Sequence, residues 1–252
     1  MKPFLFSGRQ RTAWKKRVLG AIAALVVLMA ALCNGGSAEA REASPEWVQK
    51  LPAAEGANQL FVVAGVGQTT AWVSMHEKDA SGNWHELMST PGFIGKSGLG
   101  KTREGDAKTP TGVFRFNRAF GIAPDPGCAI SYTQVDENIY WSGDGRPGMK
   151  YNQMVDIREL PDLRKDDSEH IVDYNPAYTY CLNISYNENC TPGLGSAIFL
   201  HCFRVDRPYT GGCIALPADK MRLVMQQVRP DCVVVIDSLH ALSPATANDW
   251  GI

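Results

Sequence analysis

The chain has 252 residues, with 25 Lys and Arg against 26 Asp and Glu and 44% apolar residues. That length fits one large domain or two small ones, and 20% charged with 9% aromatic residues exclude wholesale disorder and collagen-like repetition. The charge is unevenly spread: six basic residues fall in the first 40 positions, and the rest of the chain carries 19 basic and 25 acidic residues. A body with that balance lacks the basic surface that nucleic acid requires, so nucleic-acid binding is excluded.

The basic start runs through Arg17 into an uncharged stretch, Val18 to Cys33, built almost wholly of Ala, Val, Leu, Ile and Met. Small residues come next and end in Ala38-Glu39-Ala40, an A-x-A pattern. This order predicts a secretory signal peptide over 1–40, cleaved after Ala40. The apolar run is shorter than the ~20 residues that span a bilayer, which leaves an uncleaved membrane anchor as the alternative. A lipid on Cys33 fits less well, because Leu32 is bulky where a small residue belongs. Each version places the remaining chain outside the cytoplasm: periplasm, cell wall or the extracellular side of a membrane.

Residues 41–58 read as a polar lead-in, 59–240 as the folded domain and 241–252 as a tail. From Gln59 onward the pattern is that of strands. Leu60–Val63 and Ala71–Met75 are β-rich runs, Asp79–Asn83 is a turn, and Val113–Phe116 alternates apolar and polar residues. Ala197–Leu200 and Cys232–Ile236 read as buried strands. The one convincing helix is Ala218–Val228, opened by Pro217 and closed by Pro230, with Met221, Val224 and Val228 on one face. The fold class is mainly β with a few short helices.

Gly95 to Thr102 satisfies the phosphate-loop pattern G-x-x-x-x-G-K-[ST]. That chemistry needs a helix starting at the Lys-Thr, and here two glycines and a proline follow within ten residues. No nucleotide is expected. Beyond Ala40 six cysteines remain: Cys128, Cys181, Cys190, Cys202, Cys213 and Cys232. Their irregular spacing, without a C-x-x-C, argues against a metal site and for disulfides in an exported chain. Cys181–Cys190 across a short loop and Cys202–Cys232 across the core are the expected bridges.

The strongest chemistry lies between Gly195 and Ile214. His201 ends an apolar strand, and a Thr210-Gly211-Gly212 turn delivers Cys213. A thiol needs a neighbouring base to act as a nucleophile near neutral pH, and glycine amides can approach a reacting carbonyl. Cys202 follows His201 directly and, by strand alternation, faces away from it. On the residues alone, a disulfide on Cys213 and a purely structural His201 remain the competing account.

Two motifs bring a family into view. Gly105-Asp106-Ala107-Lys108-Thr109-Pro110-Thr111-Gly112 is similar to a G-D-x-K-T-P-x-G signature, and His201 through Thr210-Gly211-Gly212-Cys213-Ile214 to an H…[ST]-x-G-C-[IV] signature. The stretch from about Leu60 to Asp237 thus resembles the L,D-transpeptidase catalytic domain, the YkuD-like family of cell-wall enzymes. The resemblance implies a β-sandwich in which Cys213 is the nucleophile, His201 the general base, and the amides of Gly212 and Cys213 an oxyanion hole. It also implies a substrate, the tetrapeptide stem of peptidoglycan, with neither cofactor nor metal. The thiolate would attack the carbonyl of the third-position diamino acid and expel the terminal D-alanine. Transfer to an amine gives a 3→3 cross-link; transfer to water makes the same site an L,D-carboxypeptidase. A non-catalytic wall-binding domain is the third reading.

The chain departs from the pattern at two places. Gly211 stands where many members carry His, and Ala215 where many place Arg or Asn. Arg204 and Arg207 are candidates for meeting a stem carboxylate in their stead. Trp141, Tyr151 and Asn152, in a polar aromatic stretch, are candidates for lining the groove, with His170 and Tyr174 at its border.

Overall fold

The β-rich runs become twelve strands in a computed structural model, which describes residues 41–252. The signal segment predicted for 1–40 lies outside the described residues. In chain order the strands are β1 Gln59–Gly65, β2 Thr70–Lys78, β3 Trp84–Phe93, β4 Gly112–Gly121, β5 Tyr132–Gln134 and β6 Ile139–Trp141. Then come β7 Met154–Asp156, β8 Glu169–His170, β9 Cys181–Ile184, β10 Phe199–Cys202, β11 Ile214–Leu216 and β12 Val233–Ser238. Short helices flank them: α1 Glu46–Gln49, α2 Ala218–Gln227, α3 Leu239–Leu242 and α4 Pro244–Trp250.

Nine strands pair in the order β12-β1-β2-β3-β11-β10-β9-β4-β5, and β4 also pairs with β12. Strand β4 manages both partners by dividing its length. Gly112–Arg115 match β12, and Phe116–Phe120 match β9 beyond an irregularity in register. At the opposite junction β3 and β11 share the single pair Phe93 and Ala215. The ladder thereby returns on itself as a two-layered β-sandwich, leaving few unpaired edges. Phe61, Val63, Val73 and Met75 from one layer meet Leu182, Leu200, Ile214 and Leu216 from the other in one core. Helix α2 packs Met221, Val224 and Met225 into the same core and ends at Gln227, with Val228 as its C-cap rather than its last turn.

Strand β1 is buried on both faces, and this corrects the reading of the lead-in. Phe61 and Val63 face the main core, while Leu60 and Val62 point the other way, towards Val48, Leu51 and Ala54. Those three come from α1 and the turn after it, so 41–58 supplies the apolar cover that a doubly buried strand requires. The tail packs as well. Ala247 of α4 lies buried against Ala64 and Leu239, and the Trp250 ring meets Trp72 edge-on at 6.0 Å.

A smaller sheet, in the order β7-β6-β8, pairs Trp141 with Glu169 and Tyr140 with His170. Alternation sends Tyr140 and His170 to one face, where their rings stack at 4.5 Å, and Trp141 and Glu169 to the other.

The expected bridges are not formed; all six cysteines among the described residues are free. Cys181 points from β9 into an aromatic cluster with Phe199 and Tyr178, whereas the Cys190 thiol donates to the Glu188 carbonyl at 3.4 Å in a loop. Cys202 and Cys232 are both buried in the main core.

The packing of the lead-in is directly testable. Leu51→Ala should lower the unfolding free energy by about 2–5 kcal/mol, the cost of truncating a buried leucine, in urea titration of the folded body. A polar leader would register at most about 0.5 kcal/mol.

Candidate active site

Strands β10 and β11 run parallel, with Leu200 opposite Ile214, His201 opposite Ala215 and Cys202 opposite Leu216. Cys213 lies two residues before Ala215 and therefore shares its face, together with Phe199 and His201. Leu200, Cys202, Ile214 and Leu216 take the other face and fill the core. Cys202 thus points away from the site, as alternation predicts. One short parallel pair sets the thiol and the imidazole together over one cavity of about 650 Å³.

The turn before Cys213 is held by hydroxyls. Thr210 Oγ1 donates to the Cys213 carbonyl at 2.6 Å and accepts from the Gly212 N–H at 3.1 Å. The Gly212 amide predicted as an oxyanion donor is therefore engaged within the turn. What position 212 contributes is conformation. Its φ is +144°, and a Cβ there would lie 2.8 Å from the Lys108 carbonyl oxygen, so glycine alone fits.

Lys108 and Thr109 belong to the other signature, and the two motifs meet here. The fully buried Thr109 hydroxyl donates to the Gly212 carbonyl at 2.8 Å and lies 3.3 Å from that of Cys213. It also accepts from the Gly95 N–H at 2.9 Å. The loop itself is organised by Asp106, which takes the Lys101 ammonium at 3.0 Å and the N–H groups of Thr102, Arg103 and Lys108. Burial alone would raise the Asp106 carboxyl, but these hydrogen bonds outweigh it and hold it well below the usual carboxylate range. No helix opens at Lys101-Thr102, so the loop lacks the array of amides a phosphate would need.

Around the thiol the contacts are few and specific. The Cys213 Sγ donates to the Ala197 carbonyl at 3.2 Å and accepts from the Phe199 N–H at 3.4 Å. Ala197 has φ +55°, a conformation unusual for alanine, which takes it out of the strand predicted for it. Its N–H donates to Asn152 Oδ1 at 3.1 Å, and the same oxygen accepts the Trp141 indole N–H at 3.0 Å. His201 Nδ1 lies 2.7 Å from the Cys202 carbonyl. A carbonyl can only accept, so Nδ1 carries the proton and Nε2 keeps a lone pair.

The charge states follow from burial. It pushes the Cys213 thiol up to about 12, with the Glu169 carboxylate acting in the same direction and the Phe199 amide and Lys101 against it. It pulls His201 down to about 4, opposed by the bond to Cys202. At neutral pH the pair rests as neutral thiol and neutral imidazole.

Of the candidates from sequence, Cys213, His201, Trp141, Arg204 and Arg207 line the cavity. Arg204 and Arg207 both lean on Asp206, at 3.0 and 3.9 Å. Tyr151 and Asn152 lie behind the wall. The Tyr151 hydroxyl donates to Glu104 at 2.5 Å, and Asn152 holds Ala197 and Trp141 as above. Tyr174 lines the cavity, whereas His170 faces the Glu137 carbonyl and Asp173. Sequence reasoning missed Lys101, Glu104, Glu169 and Tyr178, all of which line it. Glu169 is adjacent to His170 in the chain, and the two-residue alternation of a strand is the signal for choosing between them. Among the described residues no group of three or more His, Cys, Asp or Glu side chains could hold a metal ion, and no helix is long and apolar enough to cross a membrane.

Residues 61–236 match the YkuD family, the L,D-transpeptidase catalytic domain, and the chain belongs to this family. No curated protein matches it. Among solved structures it is similar to the helical cell shape determining protein Pgp2 of Campylobacter jejuni, at 17% identity and a TM-score of 0.38, over 71% of this chain and 47% of that one. A mutant of Pgp2 gives 18% identity and a TM-score of 0.39, over 72% and 47%. An L,D-transpeptidase from Mycobacterium smegmatis gives 14% and 0.35, over 73% and 60%. The chain spans about half the length of the first two and 60% of the third.

Two outcomes are expected. Thr109→Val should cost about 1–3 kcal/mol of stability in chemical denaturation, because it strands the Gly95 N–H and the turn carbonyls in a buried place. Acid should destabilise the fold between about pH 6.5 and pH 4 through two buried histidines, offset in part by Glu169, which burial raises to about 7. His201 and His76 are both pulled down to about 4 by burial, so over that window the unfolded chain takes up protons the folded one refuses. His76 sits between the Ser44 and Ser74 hydroxyls, remote in sequence from the two signature motifs, and His76→Gln should flatten part of this slope in thermal melts followed across pH.

Proposed function

We propose that this chain is an exported, cysteine-dependent L,D-transpeptidase acting on peptidoglycan tetrapeptide stems. The observation that carries the reading is the pairing of a buried thiol with an imidazole whose Nε2 lone pair is left available, on one face of β10 and β11 and in one cavity. In the resting state neither group is charged, so attack on the stem carbonyl and transfer of the thiol proton to His201 belong to one step. The thiolate then displaces the terminal D-alanine, which leaves with the proton held by the imidazolium. The acyl-enzyme on Cys213 passes to an amine of a second stem. Family membership supports the substrate class, and the predicted signal peptide supports a site of action in the periplasm or cell wall.

The oxyanion hole is proposed without Gly212, whose N–H is engaged; the Cys213 amide remains the candidate. Arg204 and Arg207 are proposed to meet a stem carboxylate at the cavity mouth, and Trp141 to shape its wall. Release to water instead of an amine would make the same site an L,D-carboxypeptidase. A large cavity beside a single acyl-enzyme accommodates either acceptor.

Purified domain incubated with muropeptides should yield cross-linked dimers by mass spectrometry; trimmed tripeptides alone would assign the carboxypeptidase. Cys213→Ser should abolish both products, and a carbapenem should label Cys213 and no other cysteine. His201→Ala should lower the acylation rate about 10²–10⁴-fold, with the loss shrinking as pH rises and hydroxide takes over deprotonation. Retained turnover in Cys213→Ser would sink the mechanism.

A further inference from the structure

The charges lining the catalytic cavity do not balance locally. Each cation there already has a partner: Lys101 is bound to Asp106, Arg204 and Arg207 to Asp206, and Lys96 lies over the Tyr209 ring at 5.6 Å. Asp167 has Arg164 at 3.8 Å. Two lining carboxylates differ. Glu104 is met by the hydroxyls of Tyr151 and Ser196, and Glu169 by that of Tyr178 at 2.7 Å, and among the described residues no ion pair to either is formed.

Glu169 is the better placed of the two. Strand β8 pairs it with Trp141 and turns both side chains to the cavity face of the small sheet. Its partner Tyr178 lies edge-on to both the His201 ring, at 5.3 Å, and the Phe199 ring, at 5.5 Å. The carboxylate is thus fixed by one oxygen, through a rigid aromatic, to the base of the reaction. Burial, with Glu104 acting alongside, raises Glu169 to about 7 against the lowering effect of Tyr178. A carboxylate in that condition gains most from a ligand that brings its own positive charge.

Resting on the stem-peptide reading above, we propose that Glu169 is a specificity-determining residue, whose carboxylate takes the side-chain ammonium of the diamino acid at the third position of the stem. The consequence reaches the nucleophile. Glu169 is one of the charges that oppose ionisation of Cys213, so a substrate that neutralises it removes part of that opposition as it binds. A stem whose amine is blocked brings no such relief.

The test uses Cys213→Ala in the full chain, which binds without turnover, and two tetrapeptides: one with a free third-residue amine, one with that amine acetylated. Calorimetry should show the free form binding about ten- to a hundredfold more tightly, the range for a hydrogen-bonded charge pair. The preference should grow between pH 6 and pH 8, as Glu169 loses its proton while the ammonium keeps its own. Adding Glu169→Gln should reduce the ratio to near unity by weakening the free form alone. Equal binding of the two peptides to Cys213→Ala overturns the proposal with no change at position 169, and so does a preference that survives Glu169→Gln. Carbapenem labelling of Cys213 is independent of this result, so labelling with equal binding defeats the inference alone. Binding of neither peptide overturns both the inference and the stem-peptide reading.

Discussion

The candidate active site hangs on one buried hydroxyl. Thr109 joins two segments separated by over a hundred residues, bonding the Gly212 carbonyl from one side and the Gly95 amide from the other. A hydroxyl suits this post because it donates and accepts at once, within a space closed to water. Around it the rest falls into order. Asp106 and Lys101 shape the loop that presents Thr109, Gly212 passes close under the Lys108 carbonyl, and Thr210 fixes the next carbonyl along. The two sequence signatures, read separately as chemistry and as a loop, are two halves of one support for Cys213.

That support places Cys213, the proposed nucleophile, where it is chemically quiet. Burial raises the thiol and lowers the imidazole, so neither holds charge before a substrate arrives. The alternative, a standing thiolate–imidazolium pair, would need solvation or counter-charges, and here burial and the Glu169 carboxylate outweigh what Lys101 supplies to the thiolate. Such a resting state protects a thiol from adventitious oxidation, since the thiolate is the reactive form.

Much of this is legible in the residues alone. Strand runs such as Leu60–Val63 and Cys232–Ile236 announce themselves by β-branched and aromatic content, and α2 by its proline boundaries and apolar stripe. His201 and Cys213 are readable as candidates for one site because one ends a strand and the other follows a glycine turn, and both line the same cavity. What is not legible depends on contacts far apart in sequence. Nothing local marks Val48 and Leu51 as cover for β1, since prolines, alanines and charged residues break up the apolar positions around them. Glu169 becomes meaningful only once β8 pairs with Trp141 and Tyr178 returns to meet it. The bond of the Gly212 amide to Thr210 is not legible either, because spacing shows that a glycine is present and not which acceptor its N–H finds. The cysteines mislead for a related reason: an even number of thiols invites pairing, but hydrophobic packing uses thiols too, and Cys202 and Cys232 serve as small apolar side chains.

The free state of those thiols bears on the proposed life of the protein outside the cytoplasm. A small secreted domain commonly borrows its rigidity from cross-links, and its scaffold then needs oxidising surroundings. A nucleophilic cysteine needs the opposite. Here the scaffold draws on a two-layered core and a ladder that closes on itself, so shape and reactivity do not compete over redox potential. The surroundings can turn oxidising or reducing with no cross-link of the framework to make or break, and the thiols that meet them are those outside the core, Cys128 and Cys190, and Cys213 on the cavity.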